Sequence, residues 1–379
     1  MESRIATSLT ALTAREWDAL VPDGALFLQH AFLEGLEQTG CTDGDTGWES
    51  AHVLLTDLHG LAAAAPAYLK THSFGEFVFD FSWAQAYARA GLDYYPRLVV
   101  AVPFTPATGP RLLVRPGLDP VTIKRQLLTR LAALARERGA SSVHVLFPDE
   151  ADTAVLDEAG WLGRRDCQFH WYNRGYTSFD HYLGSFTAEK RKKARRERRR
   201  VAEMGIRFET WTGEQLPDER LDAVHALHRD TFLRHGHEPY LTRAFFTRAA
   251  RAFNRDFVVK AALWRGALVA CAIFFRSPNT LYGRYWGAAA DFHSLHFETC
   301  YHQGIEYCIE TGLARFEPGT QGEHKIARGF EPALTRSAHL ILDERFRAAI
   351  GAYLAREGHS VDAYAEAVRA HVPFRKISR

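Results

Sequence analysis

A short segment near residue 320 combines the side chains that acid–base and electrostatic catalysis use. It follows an apolar run at residues 313–316 and is spaced by glycines. Its polar members are two acids, an imidazole, two cations and an amide: Glu317, Glu323, His324, Lys325, Arg328 and Gln321. A polar loop directly after a strand is a frequent place for an active site, so we expect one here. The alternative is a surface ion pair between Glu317 and Lys325 on a turn that the glycines shape.

Two elements before this loop would position it. Residues 297–309 carry apolar side chains at three- and four-residue steps, which predicts a helix that ends at Gly312. A predicted strand at residues 281–286 alternates its side chains, so that one set faces the core and the other a cleft. We favour Arg284 and Trp286 for the cleft, and a sheet face covered by the helix is the alternative. The candidate substrate-binding residues of this half are Tyr282, Arg284, Trp286, Glu298 and Arg328.

The first half offers a second candidate for substrate recognition. Alternating phenylalanines at residues 77–81 predict a strand. Glu76, Asp80 and Trp83 would then follow at strand spacing, and acids beside aromatic rings suit a cationic or amine substrate. A sheet face that is covered by a helix is again the alternative.

Composition limits the class of protein. The chain has 379 residues, of which 24% are charged and 46% hydrophobic, as in a globular protein of two ordinary domains. We expect no transmembrane segment, because no apolar run approaches about 20 residues. We expect no signal peptide, because the N-terminal residues lack an apolar core. Five cysteines without a CxxC pair indicate reduced thiols and a cytoplasmic location. No metal site is expected, since the histidines near residues 225–237 lack acidic or cysteine partners at zinc spacing.

One segment concentrates positive charge. Residues 189–200 hold nine basic and two acidic side chains, while the whole chain has a net charge of +2. The segment predicts a charged helix over residues 186–204 that ends at Gly205. It could bind RNA or another polyphosphate, attract anionic lipid, or simply be a solvated helix face. The candidate phosphate-binding residues are Lys190, Arg191, Lys192, Lys193, Arg195 and Arg196.

The order of elements repeats along the chain. In both halves two apolar runs flank a turn, a third strand follows, and a helix ends at a glycine before a strand that stops at a proline. We therefore predict an α/β (α+β) protein with two tandem domains, each a mixed sheet flanked by helices. The predicted domains are residues 1–165 and 166–342. A C-terminal helical segment, residues 343–379, would contain two helices.

Long motifs resemble a known family. These are FTAEKRKKARRERRRVAEMGI, LVACAIFF…LYGRYWGA…Y-x-x-GIEYCIE-x-GLARFEPGTQGEHK, K-x-HSFGEFVFDFSWAQAY and YYPRL. They are similar to the FemAB-like branch of the GNAT acyltransferase superfamily, in particular to bacterial N-acyltransferases associated with peptidoglycan biosynthesis. The resemblance covers roughly residues 30–375. It implies two GNAT-like domains and transfer of an acyl or aminoacyl group to an amine-bearing acceptor.

The resemblance also implies roles for the loop. Glu317, or Glu323 with His324, would accept the amine proton, and Lys325 or Arg328 would stabilise the oxyanion or hold a phosphate. The acyl donor would be a co-substrate, aminoacyl-tRNA or acyl-CoA, and no tightly bound cofactor is expected. The Q/R-x-x-G-x-G/A signature of CoA binding is not found, which favours tRNA, held through the basic helix. The alternative function is a non-catalytic RNA- or envelope-binding protein that has kept the fold.

Overall fold

The computed structural model describes residues 1–290, 292–320 and 322–375, so Gln321 of the candidate loop lies outside the described residues. The chain forms two compact units. The first contains residues 1–166 and 334–363, and the second contains residues 167–333 and the described residues from 364 on. The sequence-based domain boundaries follow the chain in order, whereas the structural units divide its C-terminal part between them.

The first unit is a mixed α/β structure. In chain order its elements are β1 (Glu2–Ala6), α1 (Ala14–Asp18), α2 (His30–Gln38), β2 (Trp48–Ser50), β3 (His52–Asp57), β4 (Gly60–Ala65), β5 (Ala67–Lys70), α3 (Phe81–Arg89), β6 (Arg97–Val100), β7 (Leu113–Val114), α4 (Pro120–Glu137), β8 (Ser142–Leu146) and α5 (Glu150–Glu158). One sheet has the strand order β1-β3-β4-β7. In the other, β2, β5, β6 and β8 are successive neighbours, and β6 and β8 run parallel.

The second unit begins within strand β9 (Leu162–Tyr172), which contributes residues to both units. Its elements are α6 (Phe179–Gly184), α7 (Ala188–Glu203), β10 (Ile206–Thr212), α8 (Asp218–Arg234), α9 (Arg243–Phe253), β11 (Phe257–Trp264), β12 (Ala267–Arg276), β13 (Thr280–Ala288), α10 (Leu295–Phe297), α11 (Gln303–Thr311) and β14 (Arg315–Glu317). A π-helical turn, Glu298–His302, joins α10 to α11, and a 3-10 helix, Glu323–Arg328, follows β14. Strand β15 (Glu331–Ile341) and helix α12 (Glu344–Arg369) again contribute to both units.

Both units contain the predicted repeat. In each, antiparallel strands lead to a parallel pair whose members are joined by a helix: β6 and β8 with α4, and β13 and β14 with α11. The helix ends follow local chemistry. Asp119 caps α4 by accepting hydrogen bonds from two backbone N–H groups. Gly312, with φ of 72°, ends α11 in the left-handed conformation.

Each parallel pair is covered by the apolar face of its helix. In the first unit Leu127 and Leu131 of α4 pack in one core with Val143 of β8. In the second, Ile305 of α11 packs in one core with Phe316 of β14. These faces carry the three- and four-residue spacing that predicted the helices.

One predicted strand is wrong. Residues 77–80 form a loop, and helix α3 begins at Phe81. The phenylalanine alternation imitates a strand, but Gly75 and Phe77 have positive φ values of 82° and 61°, which no strand accommodates. The strand of the first unit that corresponds to β13 is β6.

The C-terminal segment also differs from its prediction. One continuous helix, α12, replaces the two helices expected there. Within the described ranges, no helix has both the length and the apolar character that crossing a bilayer requires.

The packing of α8 against β13 can be tested at Gly287. A Cβ atom there would lie 2.5 Å from the carbonyl carbon of Leu227 and 2.6 Å from the backbone nitrogen of His228. Because backbone cannot yield as a side chain does, we expect Gly287→Ala to lower the free energy of unfolding by about 3 kcal/mol. Urea unfolding measures this.

Gly44→Ala is the matched control, since an added Cβ meets no atom of the described residues within 4 Å. It should change stability by less than about 0.5 kcal/mol. If Gly287→Ala unfolds at the same urea concentration as the wild type, α8 does not pack on β13 in this way.

Candidate functional site

A cleft opens in the second unit where two parallel strands part. β13 and β14 pair over residues 280–282 and 315–317 only. β14 ends there, while β13 continues to Ala288 with a register shift against β12 that leaves Arg284 as an extra residue. The cleft encloses about 360 Å³, part of it open to solvent. Its lining residues are Ala272, Ile273, Phe274, Gly283, Arg284, Tyr285, Trp286, His296, Cys300, Tyr301 and Pro318.

Glu317 lies at the last position of β14, next to the cleft residue Pro318. Its side chain is 5% exposed, and burial raises its pKa to about 7 against the opposing attraction of Arg315 and Arg284. Nε of Arg315 lies 3.0 Å from Oε1 of Glu317, but no side chain among the described residues donates a hydrogen bond to that oxygen. A carboxylate with a pKa near neutrality can both accept and release a proton.

Lys325 is a buried amine on the 3-10 helix that follows. Its Nζ donates a 2.7 Å hydrogen bond to the carbonyl oxygen of Gly319, and 1% of the residue is exposed. Burial lowers its pKa to about 7. Gly319 has a φ of 92°, a conformation that favours glycine, so the turn after β14 can present its carbonyl to Lys325.

The π-helical turn supplies the opposite wall of the cleft. Tyr301 forms a 2.8 Å hydrogen bond with Nε2 of His324, which places His324 behind this wall. His296 lies between Trp286 and Tyr301, with ring centroids at 5.2 and 5.4 Å. Burial and the nearby His324, Arg328 and Lys325 lower the pKa of His296 to about 4, so it is neutral at pH 7.

The predicted substrate-binding residues on β13 do not all face the cleft. Arg284 and Trp286 both line the cleft. Tyr282 is buried directly opposite Glu317 in the parallel pair, where burial raises its pKa. The ring of Tyr285 packs against His228 of α8 and Phe246 of α9.

Two predicted substrate-binding residues instead hold the basic helix α7. Nη2 of Arg328 donates hydrogen bonds to both carboxylate oxygens of Glu197, each 2.9 Å long. The guanidinium of Arg328 stacks on the ring of Phe297, 3.6 Å from its centroid. Glu298 accepts a 3.1 Å hydrogen bond from Arg198, which also binds Glu306 at 2.6 Å. These buried charges are paired within the protein, so they form the base of α7 and do not line the cleft.

Glu323 points away from the cleft. Its side chain is exposed and accepts a 2.8 Å hydrogen bond from the hydroxyl of Tyr364 on α12. Of the two acids in the loop, only Glu317 is buried. It immediately precedes the cleft residue Pro318 in the chain and is not itself among the residues that line the cleft.

The candidate substrate-binding residues of the first half, Glu76, Asp80 and Trp83, lie in the first unit. Glu76 and Asp80 are 3% and 1% exposed, and both bind the guanidinium of Arg97, Glu76 at 2.7 Å. Ser73 and Tyr94 each donate a 2.6 Å hydrogen bond to Asp80. Trp83, on α3, packs edge-on against His339 at 4.9 Å. The acids thus form an internal ion cluster around Arg97 and are not presented to a cationic substrate.

The outer face of α7 carries four of the six predicted phosphate-binding cations. Ala194 and Val201 are buried beneath the helix. An open groove is lined by Arg191, Lys192, Arg195, Arg196 and Arg199, whereas Lys190 and Lys193 are not among its lining residues. Two of these arginines also touch acids, Arg195 with Asp180 at 3.0 Å and Arg199 with Glu203 at 3.4 Å. Because these pairs are exposed, they hold the cations only weakly.

Sequence reasoning missed His296 and Arg97. His296 precedes Cys300 by four residues, so its helical spacing could have placed it on the face that lines the cleft. Arg97 is the first residue of a valine-rich apolar run, and the two acids upstream, Glu76 and Asp80, were the signal that a buried cation was needed there. Among the described residues, no group of three His, Cys, Asp or Glu side chains converges as around a metal ion.

The raised pKa of Glu317 predicts a pH-dependent stability. The folded protein holds this proton up to pH about 7, whereas the ordinary value is 4.5. The native state therefore binds more protons between these values, and stability falls as pH rises through this window. We expect Glu317→Gln to remove this loss and to stabilise the protein at pH 8 by up to about 3 kcal/mol.

Urea unfolding of both proteins at pH 5 and pH 8 measures the effect. Glu203→Gln, on an exposed side chain of α7, is the control and should follow the wild type. If the free energies of unfolding of the wild type and Glu317→Gln change equally with pH, the pKa of Glu317 is not raised in the folded protein.

Solved structures resemble the chain in fold. The crystal structure of FemX superimposes with a TM-score of 0.55 and 13% identity, covering 93% of this chain and 100% of that one. The C-terminal domain of a putative lysylphosphatidylglycerol synthetase from Agrobacterium fabrum gives 0.53 and 12%, with coverages of 91% and 94%. L-PGS from Bacillus licheniformis gives 0.52 and 12%, with coverages of 88% and 95%. The predicted fold class, an α/β protein of two units with mixed sheets flanked by helices, is confirmed.

No curated protein sequence matches the chain. One family, FemAB-like, described as peptidoglycan biosynthesis/recognition, matches residues 8–376. The match confirms the resemblance inferred from the motifs, and since it spans nearly all of the 379 residues, the chain belongs to the FemAB-like family.

Proposed function

We propose that the protein is an acyltransferase that forms an amide bond between an activated acyl or aminoacyl group and an amine in peptidoglycan biosynthesis. Membership of the FemAB-like family supports a transferase. The observation that carries the proposal is the buried carboxyl group of Glu317, at the end of β14 and one residue before the cleft residue Pro318, with a pKa raised to about 7. Amide formation needs a group of this kind, since the nitrogen of a neutral attacking amine must lose a proton as the carbon–nitrogen bond forms.

The proposed reaction uses the groups at the end of β14 and around the cleft. Glu317 accepts the proton of the attacking amine, and a carbon–nitrogen bond forms at the donor carbonyl. The carbonyl oxygen becomes an oxyanion, which the Arg284 guanidinium on the cleft wall stabilises. The bond from carbon to the leaving oxygen or sulfur then breaks, and the proton passes from Glu317 to that atom. Lys325, protonated in part near pH 7, adds positive charge behind the wall.

The outer face of α7 is the candidate for holding a phosphate-bearing donor. Arg191, Arg195 and Arg199 follow one another at four-residue steps, about 6 Å apart along the helix. A row of cations at this spacing suits a polyphosphate backbone. It supports aminoacyl-tRNA as the donor slightly over acyl-CoA, whose phosphates could bind the same face.

Replacing Glu317 tests the reaction. With aminoacyl-tRNA or acyl-CoA and a set of primary amines supplied, we expect Glu317→Gln to reduce amide formation at least about 100-fold, measured by mass spectrometry. The wild-type rate should rise with pH up to about 7, because the carboxylate form is the base. Glu219→Gln, at an exposed acid on α8, is the control.

Glu323→Gln separates the two acids of the loop. A loss of product in this variant, with Glu317→Gln unchanged, would transfer the role of base to Glu323. Unchanged turnover in both variants would remove both acids as candidates for the base. Absence of amide product from the wild type itself, together with retained RNA binding, would favour the non-catalytic alternative.

The donor assignment predicts electrostatic RNA binding. We expect Lys192→Glu with Arg196→Glu to weaken tRNA binding at least about tenfold and to reduce its salt dependence, because two phosphate contacts are reversed. Filter binding over a salt series measures both quantities. Arg255→Glu with Arg265→Glu, an equal charge change on exposed arginines elsewhere in the second unit, should bind like the wild type. Equal binding by all three proteins would exclude α7 as the site.

A further inference from the structure

An exposed aromatic cluster in the first unit has no part in the proposed reaction. Phe74, Phe79 and Phe81 are 59%, 46% and 41% exposed. Their rings contact one another, Phe79 stacking on Phe81 at 6.1 Å and Phe74 lying 5.9 Å from Phe81. Single exposed apolar residues are common, but three neighbouring phenyl rings form a patch of the kind that binds an apolar partner.

The loop that carries these rings is held in place by buried polar side chains on its inner side. Ser73, Glu76 and Asp80 alternate with the phenylalanines and point inward to Arg97. Withdrawing the rings would require the loop to turn over and to break this buried ion cluster, which is costly. The arginine that holds Glu76 and Asp80 therefore also keeps the rings at the surface.

The outer surface of the segment is uncharged. Residues 71–88 contain two acids, Glu76 and Asp80, and both are buried against Arg97. The exposed polar side chains of the first turns of α3 are Ser82 and Gln85, and the exposed Arg89 follows at its end. Exposed rings on a segment that has no exposed carboxylate of its own, with a cation at the far end of α3, complement the apolar boundary and the phosphates of a phospholipid surface.

We propose that residues 71–81 are a membrane-docking loop that inserts Phe74, Phe79 and Phe81 into the headgroup boundary of a phospholipid bilayer. Rings that protrude with few hydrogen-bonding groups around them fit a bilayer better than a specific protein interface, which carries a hydrogen bond for every 100–200 Å² or so. The docking loop lies outside the cleft residues, and the inference holds whether or not the protein is a transferase.

The experiment is co-sedimentation of the full chain with vesicles of pure phosphatidylcholine and of pure phosphatidylglycerol. We expect binding to both that persists at high salt, because burial of the rings is not electrostatic. Phe74→Ser with Phe79→Ser and Phe81→Ser should lower the partition coefficient at least about tenfold. The corresponding leucine triple variant keeps the apolar area and should retain most of the binding, even if the serine variant folds poorly.

Leu58→Ser is the matched control, since Leu58 is a fully exposed apolar side chain on another turn of the same unit. It should bind vesicles like the wild type. No binding to either vesicle, equal binding by the serine variant, or binding to phosphatidylglycerol alone that high salt removes would each overturn the proposal. So would a wild-type dimer in light scattering that the serine variant loses, because the rings would then be covered by a second copy.

Discussion

A carboxylate that leaves water must find a cation or hydrogen-bond donors, or else hold its proton. The two units meet this constraint differently. In the first, Arg97 binds both Glu76 and Asp80, and Ser73 and Tyr94 complete the shell of donors. In the second, Glu317 has the neighbouring Arg315 and a more distant Arg284, and its pKa stays near 7. The first arrangement stabilises a loop, and the second leaves an acid able to exchange protons.

The same constraint explains how a strongly basic helix stays attached. Most cations of α7 face water, where their charges stay hydrated and carry little desolvation penalty. Two adjacent residues, Glu197 and Arg198, turn inward and meet charges of opposite sign, Arg328 and Glu298. Because each inward charge is matched, the second unit can carry the helix without leaving a buried ion unpaired.

The sequence predicted the elements whose rules are local. Helices α4 and α11 each follow from an apolar stripe and a glycine at the C-terminal end, and α7 follows from its composition. The strand prediction for residues 77–80 was wrong because the alternation there separates a buried ion cluster from exposed phenyl rings. The positive φ of Phe77 cannot be inferred from the residue types. The choice between Glu317 and Glu323 could not be made either, since Tyr364, which binds Glu323, lies 41 residues away.

The π-helical turn Glu298–His302 serves two surfaces at once. A π turn holds roughly one residue more than an α-helical turn, which rotates the side chains that follow. Cys300 and Tyr301 reach the cleft, while Glu298 and His302 face α7. Removing one residue would return the segment to α-helical register and separate these two sets. The segment therefore tolerates exchange of side chains more readily than change of length, and natural variation in this family should preserve its spacing even where its residue types drift.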